Sequence, residues 1–227
     1  MNIDINDNLL LDVVYDGKQI SEIVDPIEGM RIKFTYQDEK LVRLEYADAE
    51  EVYSYSVFTR NAAGKIATVN SYILEDDYDD WSKRCQSPLF QLAFDAKSIQ
   101  KMLDMNGSKG NFEMESQSAW TYSGDNIVSV VSTYDSYGET MTVKDTYEYD
   151  ENPNPYFGLP YILFENVSYS KNNVTAQHTE YQISGVSISA ATKNYQYTYD
   201  NKKYPVMAEE TDENGNKVGT TNYTYLQ

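Results

Sequence analysis

The chain has 227 residues, enough for one large β-domain with a sizeable core. It carries 36 acidic and 18 basic side chains, and the resulting formal charge of −18 disfavours binding to nucleic acid or to an anionic membrane surface. The single cysteine excludes an intrachain disulfide, and no stretch reaches the ~18 consecutive apolar residues that a transmembrane helix needs.

The first half of the chain alternates apolar and polar residues in short runs separated by polar breaks. Residues 31–36 and 41–46 form one such pair, and residues 51–60 and 65–74 form the next. Gly64 lies in the second break and suits the positive φ of a hairpin turn. Both pairs are therefore predicted to be β-hairpins.

Two stretches interrupt this pattern. Residues 95–106 place apolar side chains at helical spacing, between a possible N-cap and a glycine, and predict one short helix. Residues 151–160 contain three prolines, which lack the amide donor of a sheet ladder. They predict a long ordered connection between strands.

The second half returns to alternation. Strands are predicted at 120–122, 127–134, 140–149, 195–199, 206–211 and 218–226. Asp145 is the only charge on the apolar side of the run 140–149. Ser and Gly interrupt residues 184–189, which therefore fit a lipid-facing strand poorly.

A phrase of one aromatic residue, Thr and Tyr recurs through the chain. Thr and Tyr suit a half-buried pleated surface, so the phrase indicates a repeated strand ending at a turn. It occurs as Phe34-Thr35-Tyr36, Trp120-Thr121-Tyr122, Tyr197-Thr198-Tyr199 and Tyr223-Thr224-Tyr225.

These patterns together predict an all-β fold of about ten to fourteen antiparallel strands in a single domain spanning residues 1–227. Consecutive hairpins form a meander, and a long meander protects its edges by closing or curling. We expect a closed or strongly curled, water-soluble barrel, because a membrane barrel needs an unbroken apolar face on every strand.

Most of the chain also resembles known proteins, more firmly after Trp120 than before it. Tyr147-Glu148-Tyr149-Asp150, the prolines that follow it, and Tyr197-Thr198-Tyr199-Asp200 are similar to tyrosine-aspartate repeats of bacterial surface proteins. They also resemble uncharacterised exported lipoproteins of gut anaerobes, which carry a domain of unknown function with a porin-like fold. The resemblance implies export to the periplasm or outer-membrane surface, with the signal peptide removed and membrane association only through a lipid anchor. It implies no catalytic residue.

Catalytic chemistry finds little support in the sequence. His178 is the only histidine and has no accompanying nucleophile motif, and no phosphate loop or dinucleotide fingerprint is present. We therefore expect no enzyme activity and no cofactor. A glycosidase using two carboxylates is the least favoured alternative, because 36 acidic residues nominate no particular pair.

One acidic cluster contains the oxygen ligands that Ca²⁺ prefers, although it lacks the spacing of a dedicated calcium loop. A solvated loop is the favoured interpretation of this cluster, and a metal site is the alternative. Its carboxylates are Glu75, Asp76, Asp77, Asp79 and Asp80.

Two kinds of function remain: a binding module and a structural scaffold of the cell envelope. The partner in either case is a glycan, a lipid or another envelope protein, and an aromatic-lined cavity is the alternative form of the binding site. Aromatic residues outside the regular strands are the candidate ligand contacts. They are Tyr78, Trp81, Tyr156, Phe157 and Tyr161.

Overall fold

A computed structural model of the chain describes residues 2–5, 9–27, 29–48, 51–74, 112–136, 139–158 and 169–225. Nearly all of these residues belong to strands or to the turns between them. The strands are β1 (Asn2–Ile5), β2 (Leu9–Asp16), β3 (Gln19–Val24), β4 (Arg31–Gln37), β5 (Lys40–Ala47), β6 (Val52–Arg60), β7 (Ile66–Leu74), β8 (Phe112–Ser123), β9 (Asn126–Ser136), β10 (Glu139–Pro153), β11 (Asn172–Ile183), β12 (Val186–Tyr199), β13 (Pro205–Thr211) and β14 (Lys217–Asn222).

The fourteen strands follow one another in the sheet in the same order as in the sequence. Every register determined for them is antiparallel, which confirms the predicted all-β meander. This strand order begins at β1 and ends at β14, so it does not show the predicted closed barrel, and closure remains a prediction. The predicted helix at 95–106 lies outside the described residues. Within the described ranges, no helix has the length and apolar character to cross a bilayer.

The chain divides into two compact units, Met1–Gln117 and Ser118–Gln227. The boundary falls within β8, so that strand contributes residues to both units. We refer to them as unit 1 and unit 2. A single domain over residues 1–227 remains a prediction.

Unit 1 contains an apolar core on one face of its hairpins. Ile32 pairs with Tyr46 and Phe34 pairs with Leu44 across β4 and β5, and all four side chains are buried. The period-two alternation of these strands had predicted this shared face. The simple alternation of residues 41–46 predicts Val42 on the same face as Leu44 and Tyr46, but a bulge after Thr35 shifts the register and Leu41 is buried instead.

Unit 2 consists of longer strands with less buried apolar surface. Strand β10 has 15 residues and β12 has 14, and most of their side chains are half-buried or exposed. Strand β12 starts at Val186, so the interrupted run 184–189 forms the preceding turn and the start of a strand. Strand β10 continues to Pro153, which pairs with Asn172 after a register shift, so the ladder extends into the predicted connection 151–160.

Three hairpin loops share one five-residue design. In each loop an Asn or Asp side chain accepts hydrogen bonds from the backbone amides two and four residues ahead, and the fourth residue has a positive φ. The loops are residues 61–65, 200–204 and 212–216. Their fourth residues are Gly64, Lys203 and Gly215. These loops confirm the hairpin turns that the polar breaks predicted.

Four tyrosine hydroxyls form hydrogen bonds between the two strands at the open ends of four hairpins. Each hydroxyl donates to a backbone carbonyl on the preceding strand of its hairpin. At the open end of each hairpin, the accepting carbonyl lies two residues before the last paired residue of the first strand. The tyrosine lies three residues after the last paired residue of the second strand. We call these bonds tyrosine ties. They join Tyr36 to Ile20 (3.0 Å), Tyr149 to Ile127 (2.5 Å), Tyr197 to Val174 (2.9 Å) and Tyr225 to Pro205 (2.7 Å).

Candidate functional site

The structure describes two of the residues predicted from the sequence to contact a ligand, Tyr156 and Phe157. Both follow the end of β10 in the proline-rich connection. The other predicted contacts and all five predicted metal ligands lie outside the described residues. They are Tyr78, Trp81 and Tyr161, and Glu75, Asp76, Asp77, Asp79 and Asp80.

Asn154 holds the backbone around these two aromatic residues. Its side-chain amide donates to the Ser170 carbonyl at 2.8 Å, and its side-chain oxygen accepts the Tyr156 amide at 2.9 Å. Its backbone carbonyl accepts the Phe157 amide at 3.2 Å. Asn154 is buried, so each of these bonds is shielded from water. The connection is therefore an ordered turn, and the turn fixes the position of the Tyr156 backbone.

A carboxylate at the end of β10 connects this region to β11 and β12. Asp150 accepts the backbone amides of Asn152 at 2.9 Å and Asn173 at 3.2 Å. The Tyr199 hydroxyl donates to the same carboxylate. Both carboxylate oxygens are thus engaged by donors from three strands, and Asp150 holds these strand ends together.

Six tyrosines lie close together in this part of unit 2. The ring centroids are 5.9 Å apart for Tyr156 and Tyr223, 5.6 Å for Tyr204 and Tyr225, and 5.9 Å for Tyr197 and Tyr199. Tyr223 and Tyr225 are two residues apart in one segment, and Tyr156, Tyr225 and Tyr199 all contribute, after burial, to the raised pKa of Tyr223, so the three pairs are neighbours. We call this set the tyrosine cluster. Its members come from the connection after β10, from β12, from the turn after β12 and from the segment after β14.

The cluster combines shielded hydroxyls with exposed rings. Burial raises the pKa of Tyr199 to about 12, and burial also raises the pKa of Tyr156, Tyr223 and Tyr225. The hydroxyls therefore stay protonated at neutral pH and can donate and accept hydrogen bonds. Tyr225 is 41% exposed and Tyr204 is 40% exposed, so part of each ring faces solvent.

A polar group also lies among the tyrosines of the β10–β12 face. Asp145, the predicted charge on this apolar side, accepts the Thr179 hydroxyl at 2.6 Å and the Gln177 amide at 3.0 Å. Lys193 forms an ion pair with Glu210 at 3.1 Å on the next strands. Hydrogen bonding and pairing thus engage these three charged groups.

Potential catalytic and metal-binding groups are dispersed in the described part of unit 2. The His178 ring is exposed and its Nδ1 lies 3.0 Å from the Thr192 hydroxyl, an ordinary cross-strand contact. Within the described ranges, no group of three or more His, Cys, Asp or Glu side chains is placed to hold a metal ion.

Of the two described residues that the sequence predicted as ligand contacts, Tyr156 belongs to the tyrosine cluster and Phe157 is its neighbour in the chain. The sequence pattern alone did not select the other cluster members, which are Tyr197, Tyr199, Tyr204, Tyr223 and Tyr225. All of these except Tyr204 belong to the recurrent aromatic-Thr-Tyr phrase, which indicates strands that end at turns. A useful signal was available in the asparagines around the prolines, because Asx side chains fix turns. The contact between Tyr156 and Tyr223 of the C-terminal segment depends on strand order, which the local pattern does not encode.

Structural comparison shows which solved proteins this fold resembles. A porin-like protein from Bacteroides vulgatus ATCC 8482 matches with a TM-score of 0.57 and 13% identity, over 99% of this chain and 91% of that chain. A porin-like protein from Bacteroides uniformis ATCC 8492 matches with a TM-score of 0.52 and 15% identity, over 95% of this chain and 76% of that chain. No protein-family model and no curated protein matched the chain. At these identities the likeness concerns the fold alone, and the chain is an antiparallel β-protein with a porin-like fold.

Proposed function

We propose that this chain is a non-enzymatic binding module of the bacterial cell envelope and that the tyrosine cluster is its ligand surface. The observation that carries the proposal is the convergence of four separate segments on one group of rings. Tyr156, a ligand contact predicted independently from the sequence, is a member of that group. Aromatic rings with a few polar groups are the usual components of binding sites.

Exposure distinguishes this surface from a core. Rings that only stabilise a fold are expected to be buried, as Tyr46 and Tyr53 are in unit 1. Tyr204, Tyr225 and the adjacent Phe157 instead remain 40%, 41% and 52% exposed. Exposed aromatic groups held on an ordered backbone support binding rather than packing alone.

A scaffold of the envelope is the second candidate, and the tyrosine ties favour it. Tyr36 and Tyr149 engage their hydroxyls in hairpin ends, so these two rings have a structural role in the fold itself. Tyr197 and Tyr225 combine a tie with membership of the tyrosine cluster. A scaffold role therefore makes Tyr36 and Tyr149 important, a binding role makes Tyr156 and Tyr204 important, and Tyr197 and Tyr225 belong to both sets.

The envelope location is supported by the resemblance to exported lipoproteins and by the porin-like fold of the two Bacteroides proteins. In this proposal the protein is water-soluble, is exported to the periplasm or outer-membrane surface, and associates with the membrane only through a lipid anchor. Its binding is not accompanied by catalysis. The Asp150 carboxylate accepts the hydroxyl of Tyr199 in the cluster, and its hydrogen bonds to neighbouring strands suit a structural role.

The test is an NMR titration of the full chain labelled with ¹³C in its tyrosine rings. Polysaccharide, lipid and protein fractions of a bacterial envelope extract are added separately. We expect one fraction to shift the ring signals of Tyr156, Tyr204 and Tyr225. The stacked pair Tyr55 and Tyr72 in unit 1, whose centroids are 4.7 Å apart, is the internal control and should not move.

Two results would contradict the proposal. Ring signals of the tyrosine cluster that stay fixed in every fraction would remove it as a ligand surface. Equal shifts in the cluster and in the Tyr55 and Tyr72 pair would indicate nonspecific association.

A further inference from the structure

We infer that the ligand of the tyrosine cluster is a neutral oligosaccharide that lies across the outer surface of the rings. This inference rests on the proposed binding function and adds the chemical class of the ligand. It is carried by the spacing of the rings, their exposure and the charges beside them.

Ring spacing decides how a ligand can be held. A group sandwiched between two rings needs about 7 to 8 Å between them, since each carbon contact takes ~3.5–4.0 Å. The Tyr156 and Tyr223 centroids are 5.9 Å apart and those of Tyr204 and Tyr225 are 5.6 Å apart. These pairs are closed against insertion, so they do not form an aromatic cage around a cationic group. Only the outer faces and edges of the rings remain for contact.

The exposed groups suit a flat ligand with alternating apolar and hydroxyl surfaces. Phe157, Tyr204 and Tyr225 present ring area to solvent, while the tyrosine hydroxyls add donors and acceptors at the ring edges. A sugar ring has an apolar C–H face and a rim of hydroxyls, which matches this combination. An acyl chain instead needs an enclosed apolar site, which a hydroxyl-rich surface does not provide.

Asp200 supplies an acceptor beside the exposed rings. Its Oδ1 accepts the backbone amides of Lys202 at 2.8 Å and Tyr204 at 2.9 Å, which fixes the turn 200–204. Its Oδ2 makes no hydrogen bond to any other described part of the chain. Because the bound amide belongs to Tyr204, whose ring lies 5.6 Å from that of Tyr225, the carboxylate is close to the ring surface. A free carboxylate oxygen can accept hydroxyl donors from a sugar.

The balance of charge favours an uncharged ligand. The turn carries Asp200 together with Lys202 and Lys203, while Asp150 and Glu151 lie at the end of β10. These five charges nearly cancel, so the surface has no strong preference for either sign. The chain as a whole carries −18, which opposes the approach of polyanionic glycans and anionic lipid headgroups.

The test uses affinity electrophoresis of the full chain in gels containing starch, xylan or mannan. Polygalacturonate serves as the acidic glycan, and sedimentation with phosphatidylglycerol vesicles serves as the lipid probe. We expect at least one neutral polysaccharide to retard the protein. The double variant Phe157→Ala/Tyr204→Ala should raise the apparent Kd at least tenfold, because two exposed ring faces are lost.

Two further variants separate the roles. Asp200→Asn should weaken binding about tenfold without unfolding the turn, because the side-chain oxygen of Asn61 holds the same turn in the loop 61–65 at 3.0 and 3.1 Å. Tyr15→Ala is the matched control, since Tyr15 is 45% exposed in unit 1. It should bind like the unmodified chain, and amide spectra should show that all variants remain folded.

Several outcomes would overturn the inference. Retardation by a neutral polysaccharide that neither the double variant nor Asp200→Asn changes would place the glycan site elsewhere. Cluster-dependent binding only to polygalacturonate or to vesicles would assign another ligand class and leave the proposed binding function intact. Absence of binding to every neutral polysaccharide would reject the ligand class, and the tyrosine titration would then decide the binding function separately.

Discussion

Removing one hydroxyl from the tie between β9 and β10 should destabilise unit 2 measurably. The Tyr149 hydroxyl lies 2.5 Å from the Ile127 carbonyl oxygen and 2.9 Å from the Ser170 hydroxyl. Ser170 Oγ also accepts the Ile127 amide at 3.1 Å, so three residues share one hydrogen-bond network. Tyr149→Phe retains the ring and deletes only the hydroxyl, so it tests this network with little change in packing.

The expected cost follows from burial. Ile127 and Ser170 are each 1% exposed, so water does not readily replace the lost hydroxyl. A buried acceptor left without its donor costs about 1–3 kcal/mol, and we expect about 2 kcal/mol for Tyr149→Phe. Tyr204→Phe is the control, because that side chain is 40% exposed, and its change should stay within about 0.5 kcal/mol.

Urea unfolding followed by circular dichroism measures this cost, and amide exchange at Ile127 shows where it arises. The double variant Tyr149→Phe/Ser170→Ala should be more stable than the sum of the single changes predicts, by at least about 0.5 kcal/mol, because both residues belong to one network. A Tyr149→Phe variant no less stable than Tyr204→Phe would refute the reasoning. Strictly additive single changes would show that the two side chains act independently.

Three further predictions concern single residues of unit 2. Lys203→Gly should raise stability by about 0.5–1 kcal/mol in urea unfolding, because Lys203 has a φ of 67° and glycine occupies this position in the other two five-residue loops; a loss of stability would mean that the lysine side chain contributes contacts that outweigh its backbone strain. Thr179→Val should lower stability by about 1 kcal/mol, because Asp145 loses its 2.6 Å donor; an unchanged unfolding midpoint would show that solvent satisfies the carboxylate. Burial raises the pKa of Tyr149 and Tyr199 from 10.0 to about 12, so their contribution to stability should be complete below pH 10 and lost as pH rises towards 12, when the unfolded chain ionises first. The free energy of unfolding measured across that interval should therefore fall steadily as the pH rises, and a flat profile would contradict the assigned burial.

The hairpins of this fold could be predicted from sequence because their turns have a local chemical signature. Each of the loops 200–204 and 212–216 begins with an Asp whose side chain accepts the amides two and four residues ahead, so the turn forms without any long-range contact. The start of β12 was harder to predict, because Ser and Gly in residues 184–189 weaken the alternation. Val186 nevertheless pairs with Ile183 across the preceding turn, so the strand depends on its neighbour rather than on its own propensity.

The site was less predictable because its residues are adjacent only after folding. Tyr156 was identified from its position outside the regular strands, which is a local property. Its contact with Tyr223 requires β10 and β14 to take their places in the sheet, and no short-range pattern encodes that arrangement. The carboxylate of Asp200 was equally hidden, because the sequence presents it as an ordinary turn residue.

The two units differ in the balance between apolar burial and tyrosine ties, and this difference indicates where binding is compatible with folding. Unit 1 buries apolar side chains such as Ile23, Ile32 and Leu44, so an exposed ring there contributes little to stability. Unit 2 buries fewer large apolar side chains and contains three of the four tyrosine ties, in which the hydrogen bond to a backbone carbonyl engages only the hydroxyl end of the ring. Tyr225 illustrates the consequence, because its hydroxyl fastens β13 while its ring stays 41% exposed. A tyrosine used in this way can stabilise a strand end and contact a ligand at the same time, which explains why the rings of unit 2 do not need to be buried.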